Sequence, residues 1–83
     1  MVQLEYTATK PITEAAAKSL SKHGMLCESD VTLVVGNVTV NGSSIKALSE
    51  APFGPGVVVQ ICVSGSDEED AAAGYLKALS ETV

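Results

Sequence analysis

Arginine and tryptophan are absent from this chain, histidine occurs once, at His23, and the aromatic share is only 4%. Its cationic side chains are the lysines Lys10, Lys18, Lys22, Lys46 and Lys77, scattered singly against ten carboxylates, for a formal net charge of −5. A nucleic-acid surface needs clustered Lys and Arg to displace counterions from phosphates, so nucleic acid is not an expected partner. The acidic balance suits a solvated surface or a basic partner. The two cysteines, Cys27 and Cys62, form no CxxC pair and are expected to be free thiols of a reducing compartment. No apolar run approaches the roughly 20 residues that cross a bilayer, and the first residues lack the order of a secretory signal. The expectation is therefore a cytoplasmic protein with no membrane partner. There is also no nucleophile–base pair, no glycine-rich phosphate loop and no metal-ligand spacing, so neither a cofactor, a metal nor enzymatic turnover is expected.

What the chain does contain is orderly. Eighty-three residues allow one domain, which at this size buries about 60–65% of the surface of its unfolded chain. Residues 2 to 8 alternate, with Val2, Leu4, Tyr6 and Ala8 sharing one parity, as in a half-buried strand. Thr9-Lys10-Pro11 breaks it. Thr13 then reads as the N-cap of a helix begun by Glu14 and lined by Ala16, Ala17, Leu20 and Gly24. The expected stop is His23-Gly24, with glycine supplying a left-handed end. Asp30 to Val35 and Asn37 to Val40 read as a β-hairpin around Gly36-Asn37, with Val31, Leu33 and Val35 pointing one way.

Asn41 to Ser44 form a loop and cap, in which either Ser43 or Ser44 can serve. Ile45, Leu48 and Ser49 suggest a short helix ended before Pro52. Val57 to Val63 alternate again, with Val59, Ile61 and Val63 inward. Ser66 with Glu69 three residues on is a capping-box pattern, and Ala72, Tyr75, Leu76 and Leu79 carry a last helix. The run of acids from Asp67 to Asp70 is favourable at a helix start without any metal. The order βαββαβα predicts an α+β open-faced sandwich: a four-stranded antiparallel sheet with three helices on one face.

That order and length resemble the HPr family, the phosphocarriers of the bacterial sugar phosphotransferase system. The likeness lies in the hairpin Val31 to Val40, in Ser44-Ile45 before a short helix, and in Gly56 followed by an apolar strand and Ser64-Gly65-Ser66-Asp67-Glu68-Glu69-Asp70-Ala71. In the family a histidine at the start of the first helix, followed by Arg and Pro, takes phosphate from phosphoenolpyruvate through enzyme I. A helix start with free N–H groups and an adjacent Arg suits that anion. Here Thr13 stands at the histidine position, Ala15 at the arginine and Ala16 at the proline. His23 falls at the other end of the same helix, about 15 Å away at ~1.5 Å per residue.

Ser44 matches the family's regulatory serine, which an ATP-dependent kinase phosphorylates; its other role is that of a helix cap. Ala16, Ile45, Lys46, Leu48 and Ser49 fall on the positions of the family's docking surface. Thr13, without a base, is a poor phosphate acceptor and reads as a cap. Lys10 and Lys18 flank it and could hold a small anion. The resemblance thus implies a regulatory or interaction module of the phosphotransferase system, monomeric, with a protein of that system or a kinase acting on it as partner. The alternatives are a divergent carrier with its acceptor moved to His23 or Thr13, and an unrelated binding role on the same fold.

Overall fold

In the computed structural model, which describes residues 1–83, the chain runs β1 (Val2–Thr7), α1 (Glu14–Leu26), β2 (Asp30–Val35), β3 (Val38–Asn41), α2 (Ile45–Glu50), β4 (Val58–Ser64) and α3 (Glu68–Thr82). The four strands form one antiparallel sheet in the order β1-β4-β2-β3. Its register explains the alternation in the sequence. Leu4, Ile61, Leu33 and Val40 stand in one row, Val2, Val63 and Val31 in the next, and Tyr6, Val59 and Val35 in a third. All three rows face the helices. Burying each such side chain contributes on the order of 2 kcal/mol. The opposite face carries Gln3, Cys62, Thr32 and Asn41, whose polar groups remain satisfied in water.

The core between sheet and helices is closed by Leu20 from α1, Leu48 from α2, and Tyr75 and Leu79 from α3, none more than 1% exposed. The open α+β sandwich expected from the sequence is the fold observed. No helix is long and apolar enough to cross a membrane. Cys27 and Cys62 are free, each half-buried.

Two helix ends differ from expectation. α1 does not stop at Gly24 but continues through Met25 and Leu26, and Gly24 keeps a negative φ. Its role is contact: a Cβ there would stand 2.8 Å from the carbonyl oxygen of Gly42. The glycine lets α1 lie against the loop that follows β3. The start of α3 also shifts by one residue, with Asp67 and not Ser66 at the N-cap position. Ser66 instead donates its hydroxyl to Glu28 Oε2 at 3.0 Å, which removes it from the capping box. The Asp67 carboxylate caps nothing in its own helix. It accepts from the Glu28 N–H at 3.0 Å and from the Ser29 hydroxyl. Those two bonds, Ser29's first, hold its pKa below the ordinary carboxylate value. Gly65 sits close beneath this latch, where a Cβ would be 2.6 Å from Ser29 Cα.

Candidate functional site

Two helix starts carry the residues singled out by the sequence. At the first, Thr13 has extended backbone (φ −100°, ψ 165°), and its Oγ1 accepts from the Ala16 N–H at 3.1 Å. Pro11 and the extended Thr13 turn the chain from β1 into α1. The last turn of α3 closes the other side, so that Lys10, Thr13, Ala15, Ala16, Glu81 and Thr82 line one shallow groove. The groove is fixed from behind: Thr9 Oγ1 donates to the Val83 carbonyl at 2.9 Å, as does the Lys10 N–H at 3.2 Å. Ala15 is exposed, while Ala16 is buried. Lys18 points along α1 to Glu14 at 3.7 Å, an exposed pair of little energetic weight. His23 is exposed in the last turn of α1 and belongs to another groove, against α3.

At the second start, Ser44 rather than Ser43 is the cap. Ser44 Oγ accepts from the Ala47 N–H at 3.2 Å, while Ser43 donates both its N–H and its hydroxyl to Asn41 Oδ1. Loop 41–44 is held on three sides. The Gly42 N–H donates to the Val31 carbonyl at 2.9 Å, Gly24 abuts its backbone, and the Tyr75 hydroxyl donates to the Gly42 carbonyl at 2.8 Å. Burial, with a smaller contribution from the Cys27 thiol, pushes the Tyr75 phenol above the ordinary tyrosine range.

The docking positions read from the sequence separate here. Ile45, Lys46 and Ser49 are exposed on α2, Ile45 by 42%. Leu48 is fully buried and Ala16 nearly so, and neither side chain can meet a partner. The reason is packing: α2 has a turn and a half and one side chain, Leu48, with which to hold itself to the core. Ala51 and Phe53 continue that inward anchor.

The sequence alone left Glu81 and Thr82 unnoticed as walls of the Thr13 groove, because only tertiary packing brings the end of α3 there. Tyr75 left a trace: a tyrosine within an apolar stripe needs a partner for its hydroxyl. Chemically, the Thr13 hydroxyl is engaged as an acceptor, and no cluster of His, Cys, Asp and Glu could hold a metal ion.

No family model and no curated protein sequence matches the chain. Solved structures do. A histidine-containing phosphocarrier protein of Mycoplasma superposes with a TM-score of 0.88 at 17% identity, over 96% of this chain and 93% of that one. The phosphocarrier protein HPr of Bacillus anthracis gives 0.84 at 22% identity, over 94% and 95%. Crh, the catabolite repression protein of Bacillus subtilis described as an intertwined, domain-swapped dimer, gives 0.77 at 23% identity, over 100% and 93%. The chain therefore has the HPr and Crh fold along almost its entire length.

Proposed function

We propose that this chain is a single HPr-like domain of the sugar phosphotransferase system that acts in the cytoplasm as a regulatory or protein-interaction module, not as a phosphocarrier and not as an enzyme. Phosphorylation of Ser44 controls it. What supports the reading is an HPr-type fold whose first helix starts at a threonine cap, Thr13, the position that the family resemblance matches to the phosphorylated histidine. The one imidazole, His23, lies at the opposite end of that helix. The Thr13 groove offers Lys10 but no arginine clamp, since the chain has none.

Ser44 supports the regulatory half. Its side-chain oxygen already faces the Ala47 N–H, and a phosphoryl oxygen can take the same donor without unwinding α2. In the modification the Ser44 hydroxyl attacks the γ-phosphorus of ATP, its proton passes to a base of the kinase, and ADP leaves. The added charge then alters the face formed by Ile45, Lys46 and Ser49, which the partner, a protein of the phosphotransferase system or its regulator, would read.

The test is intact-mass spectrometry of the purified chain, as a monomer, with two donor systems. One is phosphoenolpyruvate with enzyme I; the other is ATP with an HPr serine kinase. Gain of one phosphoryl group with ATP alone, lost in Ser44→Ala, is the expected result. Gain with phosphoenolpyruvate overturns the reading in favour of a carrier with a relocated acceptor, and gain with neither overturns the Ser44 assignment.

A further inference from the structure

Gly24 and Gly65 are each accounted for by backbone lying too close for a Cβ, but Gly74, in the middle of α3, is not: a Cβ there would meet nothing within 4 Å. A glycine inside a helix weakens it relative to alanine, so an unfilled one needs another reason. Gly74 lines a groove between the last turn of α1 and the first turns of α3, together with His23, Leu26, Asp67, Asp70 and Ala71 and, among others, the buried Tyr75. Leu26 is 75% exposed, more than any other large apolar side chain of the protein.

The rim is strongly acidic. Glu28 on the turn after α1 and Asp30 at the start of β2 lie beside Asp67, Glu68, Glu69 and Asp70 at the start of α3, joined by the Glu28–Asp67 and Ser66–Glu28 hydrogen bonds and by the pairing of Asp30 with Ser64. No lysine forms an ion pair with any of them; the Met1 ammonium on Glu68, at 2.8 Å, is the one cation there. Asp67 is already engaged by Glu28 and Ser29, which leaves Asp70, exposed at the groove's edge, as the free carboxylate.

We propose that this groove docks a protein segment that presents an arginine or lysine next to an apolar side chain. The aliphatic stem of the cation lies over Gly74 and Ala71, its head meets Asp70, and the neighbouring apolar group covers Leu26. An apolar anchor inside a charged rim is the usual anatomy of a binding hot spot, and long cationic side chains bury their stems in this way. The charge complementarity selects a basic partner and disfavours a second copy, which would bring the same acidic rim and a net charge of −5. The groove lies about 20 Å along α1 from Thr13, at ~1.5 Å per residue, so it is distinct from the Thr13 groove.

Amide-resolved NMR titration of the full chain tests the proposal, with a synthetic amphipathic helical peptide of leucine and arginine and its counterpart carrying glutamate for arginine. The arginine peptide is expected to shift amides of residues 23–27 and 67–75, less so as salt rises, and the glutamate peptide to shift none. Gly74→Leu, which fills the groove, and Leu26→Asn are each expected to weaken binding about tenfold. Asp70→Asn is expected to flatten the salt dependence. If Gly74→Leu does not fold, Leu26→Asn decides, because that side chain is exposed. Absence of binding, shifts spread over remote carboxylates such as Glu5, Glu14 and Glu50, or unchanged affinity in Leu26→Asn overturns the proposal.

Discussion

Tyr75 donates its buried hydroxyl to the Gly42 carbonyl oxygen, and through that one bond α3 fixes the loop that ends in the Ser44 cap. The pair joins the last helix to the loop that leads into the shortest one.

Tyr75→Phe should therefore destabilise the fold by about 1–2 kcal/mol, the cost of a buried carbonyl left without its donor. Urea unfolding measures it, and a loss near zero would mean that water replaces the hydroxyl. The pH dependence has a definite sign. The folded phenol titrates above the ordinary tyrosine value of 10.0, so its contribution is complete below that pH. It is lost as the solution becomes more alkaline and the unfolded chain ionises first. Tyr75→Phe should flatten this alkaline limb.

Asp67 controls the acid side. Its carboxylate is held below its ordinary pKa of 3.8 by Ser29 and the Glu28 N–H, so the stability it contributes is present above that value and is lost as pH falls through the lower folded one. Thermal unfolding between neutral and strongly acid pH should show this loss in the wild type and less of it in Asp67→Ala. Equal acid sensitivity in both would remove the latch from the account.

Gly24 and Gly74 both lie in helices and should respond oppositely to alanine. Gly24→Ala forces a Cβ onto the Gly42 carbonyl oxygen and is expected to cost about 1–3 kcal/mol. Gly74→Ala places a methyl group in open space and is expected to stabilise by about 0.5–1 kcal/mol. Paired denaturation curves measure both.

On α2, Leu48→Ala should cost about 2–5 kcal/mol, as for other buried leucines, and Ile45→Ala little. If Ile45 belongs to a docking face, its removal should weaken partner binding while leaving the unfolding curve in place. The reverse pattern would mean that α2 is rolled the other way.

Thr13→His combined with Ala15→Arg should give phosphoenolpyruvate-dependent labelling by enzyme I, because both positions line one groove at the start of α1. A folded double variant that takes no label would count against the assignment of Thr13 and Ala15 to the carrier positions.

The sheet was legible because alternation is a local property: Val31, Leu33 and Val35, like Val59, Ile61 and Val63, declare their face without reference to anything distant. The cap at Thr13 was legible for the same reason. What escaped depended on partners far along the chain. Gly24 looked like a helix stop, yet its meaning lies in Gly42; Ser66 looked like a cap, yet Glu28 takes its hydroxyl. Leu48 sits in a helix too short for periodicity to reveal which face is buried. Ser43 and Ser44 are adjacent hydroxyls, and only the side chain of Asn41, which engages the first, distinguishes them.

The strand order β1-β4-β2-β3 also dictates when the fold can form. β1 is the first of the four strands to be synthesised, but its only neighbour in the sheet is β4, the last of them. On a ribosome, Val2–Thr7 must wait without a pairing partner until β4 has emerged, so this side of the sheet closes late, after the local β2–β3 hairpin can pair. A nascent chain arrested before Val58 would present β1 as an unprotected edge strand, open to aggregation or chaperone capture. Such non-local pairing slows folding relative to helical proteins of this size.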